Sequence, residues 1–304
     1  MFSRPNKHDS SYLIADYIEF QCLMSGKAVS SYDLRALLSM SDDEDNNDGI
    51  DSSDDWSIDC LNEAVGICNS RFIVCGERYP FRADGNSLSM IAEPLWYQDI
   101  YVFLLFATRL NMNTQKVQGG EDATKLFELI CSEVARGYLG GKAQSKVFGT
   151  GVVGGFQQKV EKMLSDLHLP ALYRQPAGST GHQRDAHVDV VAWIPFSDNK
   201  DSQLIALGQC KTGTSWEGMI GELDPKDFFC CFTTIPPYAD VIKTFFLTES
   251  FGDYKWEERC RKAGILFDRT RIMEFLPNDF DSSLLERIKK WNTAAIDNER
   301  KNFD

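Results

Sequence analysis

Two short apolar segments constrain this chain more than anything else in it. Val188-Asp-Val-Val-Ala-Trp-Ile194 is apolar on both faces except at Asp189, and Leu204-Ile-Ala-Leu-Gly-Gln-Cys-Lys211 is apolar until Gln209 and Lys211. Segments of this length, rich in aliphatic residues and bounded by polar breaks, predict buried strands. The intervening 195–203, rich in Ser, Asp and Asn, predicts a hairpin loop. Side chains alternate along a strand, so Asp189, Val191 and Trp193 share one face, as do Ile205, Leu207, Gln209 and Lys211. A symmetric hairpin pairs Ile194 with Leu204, which puts Asp189 opposite Gln209 and makes Lys211 its diagonal neighbour. Direct neighbours stand about 4.5–5.5 Å apart at Cβ and diagonal ones about 7–8 Å. A one-residue slip would scatter the three groups.

Burying an unpaired carboxylate or ammonium costs on the order of several kcal/mol. Two arrangements avoid that cost. One is an Asp189–Lys211 ion pair beside a hydrogen-bonded Gln209. The other is a hard-cation site, in which Asp189 and the Gln209 carbonyl offer oxygen ligands to Mg²⁺. Lys211 would then orient or deprotonate an attacking water, or balance charge on a phosphate.

The remainder of the chain divides at Gln118-Gly-Gly. Before it, apolar residues recur with helical spacing over 11–24, 32–40, 56–69 and 96–110, and 72–75 predicts a short strand. Residues 41–55 carry eight acids and almost no apolar side chains, which predicts a solvated loop. The EF-hand look of Asp43, Asp45, Asn47 and Gly49 fails, because the glycine falls one place late and Asp54 stands where the closing Glu belongs. After the break come a helix over 123–138, a Gly-rich turn, a helix over 156–167, strands over 188–194, 204–211 and 241–247, a strand or helix end near 264–275, and a closing amphipathic helix over 284–291. The expected organisation is a mostly helical accessory region over 1–118 and an α/β domain over 119–304.

Asp189 followed by Gln209-Cys210-Lys211 at the end of the next strand resembles the PD-(D/E)XK nuclease superfamily in its Q-x-K form, the form of Mrr-like, restriction-type endonucleases. The resemblance covers residues 120–275. It implies a restriction-endonuclease-like αβββαβ core and a further Glu on the helix before the first strand. On that helix Leu126, Phe127, Ile130, Val134 and Tyr138 define the apolar face, and Glu128 in its Phe-Glu context takes the family position; Glu133 sits on the opposite rim. The resemblance therefore implies Glu128, Asp189 and Gln209 as Mg²⁺ ligands (Mn²⁺ as an alternative ion), with Lys211 as the assisting base, in a metal-dependent DNA endonuclease. It also implies an effector role in prokaryotic anti-phage defence. The sequence departs from the family where Gln209 replaces an acid, which makes Glu128 more necessary, and where Val188 stands in place of Pro.

Other motifs compete with this reading. Gly149-Thr-Gly-Val-Val-Gly154 fits GxGxxG ahead of a helix, so a dinucleotide-binding enzyme is one alternative, although the preceding strand is poor and no acid-ended strand follows near 170–175. A P-loop fails, since Arg136 and Ala143 occupy required Gly and Ser/Thr positions. His182 and His187, with nine irregularly spaced cysteines, give no zinc pattern. Lys142, Lys146 and Arg184 are candidate phosphate contacts, Asp185 and His187 candidate aids to metal or phosphate, and Trp216, Phe228 and Phe229 candidate core residues. A non-catalytic interaction protein on a nuclease-like scaffold is the other alternative.

Net charge is −13, and the acidic run accounts for eight of those charges, leaving −5 elsewhere. A net anion is repelled by nucleic acid as a whole body. DNA binding then needs a local basic groove or a second protein subunit that supplies affinity. The longest apolar stretch, 100–107, is far short of the roughly 20 residues a membrane span requires. With no secretory leader and an odd cysteine count, the expected location is cytoplasmic.

Overall fold

A computed structural model of the chain describes residues 2–6, 8–45, 56–149, 155–176 and 186–301. The first part is mostly helical: α1 (Ser11–Ser25), a two-residue β1 (Val29–Ser30), α2 (Ser31–Asp45), α3 (Ile58–Cys75), a hairpin of β2 (Phe81–Asp84) and β3 (Ser87–Met90), and α4 (Trp96–Arg109). A tight hairpin follows, β4 (Val117–Gln118) and β5 (Glu121–Asp122), turning at Gly119 and Gly120, both with positive φ. Then come α5 (Ala123–Leu139), β6 (Gln144–Val147), α6 (Phe156–Asp166), β7 (Val190–Ile194), β8 (Leu204–Lys211) and α7 (Pro225–Phe232). The chain closes with β9 (Ile242–Leu247), α8 (Trp256–Ala263), β10 (Ile265–Phe267), α9 (Arg269–Glu274) and α10 (Ser282–Arg300).

Two segments differ from expectation. Residues 72–75 are not a strand but the last turn of α3. The buried stripe Leu61, Ala64, Val65, Cys68, Arg71, Cys75 keeps helical spacing to the end, and the polar Arg71 within it hides that continuity. Residues 41–45 of the acidic run extend α2 instead of opening a loop. The remainder of that run, with most of the EF-hand-like pattern, lies outside the described residues.

The main sheet has the order β10-β9-β8-β7-β6. β7 runs antiparallel to both β6 and β8, while β8, β9 and β10 are mutually parallel, which makes a mixed α/β architecture. Alternation along β7 and β8 serves two covers. Val190 and Ala192 face α5 and join the core built by α1, α3, α4 and α10, so helical region and sheet share one hydrophobic interior. Val191, Trp193, Ile205 and Leu207 face the opposite way, against Val160, Met163 and Leu164 of α6 and Phe228, Phe229 and Phe232 of α7. β6 was not foreseen; Gln144-Ser-Lys-Val147 is an edge strand of mostly polar residues, recruited by pairing with β7.

At the heart of the helical region lies an ionic knot. α1 carries Asp16 and Glu19, both fully buried. Arg269 grips Asp16 with both terminal nitrogens, at 2.8 and 3.0 Å. Arg71 Nη1 reaches Asp16 Oδ1 at 2.8 Å and Glu19 Oε1 at 2.6 Å, and Arg109 Nε reaches Asp16 Oδ2 at 2.7 Å. The Tyr79 and Tyr101 hydroxyls donate to Glu19 Oε1 at 2.6 and 2.9 Å. Arg269 also donates to Thr248 O, at the end of β9, so the knot ties α1, α3 and α4 to the sheet. Burial alone would raise the Asp16 carboxyl, but Arg269, Arg109 and Arg71 overcome it and hold it well below the usual carboxylate range.

Replacing Arg269 with Met strips the buried Asp16 carboxylate of its two-pronged partner and breaks the tie to Thr248, and we expect a loss of about 3–5 kcal/mol in urea unfolding; a loss under about 1 kcal/mol would contradict this account. Because the Asp16 carboxyl is depressed on folding, its contribution is present above the unfolded value of about 3.9 and drains away as pH falls below it. The melting temperature should therefore drop in that acid range, and by less in the Arg269 variant.

Candidate active site

β7 and β8 pair from Ile194↔Leu204 to Val190↔Gly208, which is the register of a symmetric hairpin. Past Val190 the ladder changes. The Asp189 N–H donates to Gly208 O at 2.8 Å, although Gly208 is already the partner of Val190. Two residues of one strand thus face one of the other, as in a β-bulge, and strict alternation ends there. The Asp189 carboxylate turns onto the neighbouring backbone, its Oδ2 accepting the Cys210 N–H at 2.7 Å between Gln209 and Lys211.

Glu128, expected on the rim of its helix, is buried at 7% exposure. Its carboxylate packs on Gly149, where a Cβ would lie only 2.8 Å from Oε2 and 3.0 Å from Oε1. Phe148 and Gly149 donate their N–H groups to Asp189 O at 2.7 and 3.1 Å. The first glycine of the GxGxxG pattern thus makes room for a carboxylate beside the Asp189 backbone; residues 150–154 lie outside the described residues. Glu128 and Asp189 also act on the same pair of thiols. Burial first pushes Cys131 of α5 and Cys210 of β8 upward, Cys131 itself adds to the rise at Cys210, and the charges of Asp189 and then Glu128 add to both. Glu128 and the Asp189 backbone therefore both border Gly149.

Gln209 and Lys211 gather around a residue the sequence did not single out. Gln209 Nε2 donates to Glu222 Oε2 at 2.9 Å, Lys211 Nζ lies 3.7 Å from that same oxygen, and His187 Nδ1 lies 3.2 Å from it. Glu222 sits in the irregular segment between β8 and α7, where neither periodicity nor a motif marks it. A carboxylate can only accept from an amide, so this bond fixes which end of Gln209 is the NH₂. The other end, Oε1, is buried and makes no hydrogen bond among the described residues, in a residue with 0% exposure. An orphaned buried carbonyl of this kind costs about 1–3 kcal/mol.

The remaining candidates fall elsewhere. Glu133 pairs with Arg136 at 2.7 Å on the far rim of α5. Lys146 of β6 pairs with Asp166 at 2.6 Å, and Lys142 is exposed in the turn before that strand. Arg184, Asp185 and His182 lie outside the described residues. Trp216, Phe228 and Phe229 are buried core residues. Among the described residues, no group of three or more His, Cys, Asp or Glu has metal-holding geometry, and no helix is long and apolar enough to cross a membrane. No family model, curated protein or solved structure matches the chain.

The packing of Glu128 on Gly149 can be checked by a double-mutant cycle. Gly149→Ala alone should destabilise the protein by about 1–3 kcal/mol through overpacking, and the same change in a Glu128→Ala background should cost less than half as much. Equal costs in the two backgrounds would show that the carboxylate does not occupy that space.

Proposed function

We propose that this chain is a metal-dependent phosphodiesterase acting on DNA, with Asp189, Gln209 and Glu128 as the oxygen ligands of Mg²⁺ and Lys211 as the group that assists the attacking water. The observation that carries this reading is the Gln209 carbonyl, held by Glu222 in a fully buried position with its oxygen unspent. A hydrophobic sheet gains nothing from such an atom, whereas a hard cation would satisfy it. The donor set fits that ion type: two carboxylates and one amide oxygen, with no soft or nitrogen ligand. The element order α5-β6-β7-β8-α7-β9, with α6 inserted after β6, supports the resemblance to a restriction-endonuclease-like core.

The chemistry such an ion supplies is Lewis-acid polarisation of a phosphoryl oxygen. Each protein group has a separate task. Glu222 fixes the Gln209 amide and draws the Lys211 ammonium to the strand end. Cys210 N–H orients the Asp189 carboxylate through Oδ2. Lys211, 26% exposed, is accessible to water. A role as effector in anti-phage defence, a cytoplasmic location and a second subunit that activates the chain are extensions of this proposal.

One observation favours the non-catalytic scaffold as a second reading. Glu222 already engages both Gln209 and Lys211, so the groups are mutually satisfied to a degree that a purely structural cluster would also show. Incubation with plasmid and linear DNA, in Mg²⁺, Mn²⁺ or EDTA, separates the two. The nuclease reading predicts cleavage in either metal, none in EDTA, and a loss of roughly 100-fold or more in Asp189→Ala and Lys211→Ala. Cleavage that survives in both variants would remove this site from the reaction, and no cleavage under any condition would favour the scaffold.

A further inference from the structure

On the α4 side of Lys211 the structure holds a cleft of about 640 Å³, between the segment that follows α4 and the loop that follows β8. Its cationic groups are Arg109, Lys116 and Lys211, and Asn113, Thr214 and Ser215 add neutral donors. Among the described residues its lining contains no Asp or Glu, in a protein that carries 45 acids and a net charge of −13. Such segregation of charge is the footprint of an anion site. Each cation is held from behind by a carboxylate outside the lining: Asp16 to Arg109 at 2.7 Å, Asp122 to Lys116 at 3.2 Å, and Glu222 to Lys211 at 3.7 Å. These partners aim the cations without entering the cleft.

A second observation points to a ligand independently. Arg109 is nine-tenths buried, at 8% side-chain exposure, and its Nη2, which makes no hydrogen bond among the described residues, has only a long ion pair of 3.8 Å to Glu249 Oε1. A guanidinium with one nitrogen bonded to Asp16 and another held only by a long ion pair, in a residue that lines the cleft, suits a phosphate oxygen.

We propose that this cleft binds the sugar–phosphate backbone of a single nucleic-acid strand and leads it to the Lys211 end of β8. The inference deepens the nuclease reading by naming the form of its substrate. A volume of about 640 Å³ is that of a small-ligand pocket, which admits a few nucleotides of one strand and not a duplex. Among the described residues the one aromatic side chain in the lining, Trp216, is 2% exposed, so none of them offers a ring for base stacking. Recognition therefore runs through phosphate and is sequence-tolerant and salt-dependent. One wall comes from Asn113 and Lys116, which gives the helical region a direct part in substrate capture.

The test is fluorescence anisotropy of labelled oligonucleotides with the full chain in EDTA, so that no turnover occurs. Low-salt binding of mixed-sequence single strands is expected, with an unlabelled duplex a poor competitor. Placing acids in the cleft at exposed positions, Asn113→Asp with Thr214→Asp, should weaken binding roughly fivefold or more, and Lys116→Ala should lower the slope of log K against log salt by about one. Circular dichroism confirms that these exposed substitutions leave the fold intact. Absence of binding by the wild type, wild-type affinity in the cleft variants, or a duplex that competes as well as a single strand would each overturn the proposal. Asp189→Asn separates the two readings. Binding that depends on the cleft but accompanies no DNA cleavage removes only the catalytic reading, whereas cleavage with cleft-independent binding removes only this one.

Discussion

Two carboxylates on one helix, fully enclosed by three arginines and two tyrosine hydroxyls, hold this molecule together. Asp16 and Glu19 cannot be buried singly at tolerable cost, and Arg71, Arg109 and Arg269 cannot either. Their mutual dependence forces α1, α3, α4 and α9 into one arrangement. A hydrophobic core alone tolerates small shifts between helices; a five-membered ionic knot with bonds of 2.6–3.0 Å does not. Because Arg269 also binds Thr248 and Arg109 lines the cleft beside Lys211, the knot sets where the helical region stands relative to the end of β8.

That end of the sheet is where regularity is given up. A bulge at Asp189 takes its carboxylate out of the alternating pattern and sets it on the Cys210 N–H. Gln209 and Lys211 keep their strand positions and meet Glu222 instead. The result is a strand end at which Asp189 holds the Cys210 N–H and Gln209 and Lys211 share the Glu222 carboxylate. Local irregularity of this type costs ladder hydrogen bonds, and it is common where a side chain must be re-aimed.

Much of the frame was legible in the sequence because it follows from spacing. Apolar periodicity located α1, α4 and α5, and the equal flanks of 195–203 yielded the observed β7–β8 register. What escaped has physical causes. The β6 edge strand is mostly polar and exists through pairing with β7, which no local pattern records. α3 hid its last turn behind Arg71, a charged residue on a buried stripe. The turn of Asp189 depends on one extra residue in a ladder, and Glu222 belongs to an irregular loop. Long-range ion pairing is equally silent, since Asp16 and Arg269 are 253 positions apart.

The most direct measurement is anomalous diffraction from crystals of the protein grown or soaked with Mn²⁺. The account predicts one strong peak within about 2–2.5 Å of the Asp189 carboxylate and of Gln209 Oε1, with Glu128 in the same coordination sphere. A saturating soak that gives no peak there, or a peak confined to other residues, would contradict it.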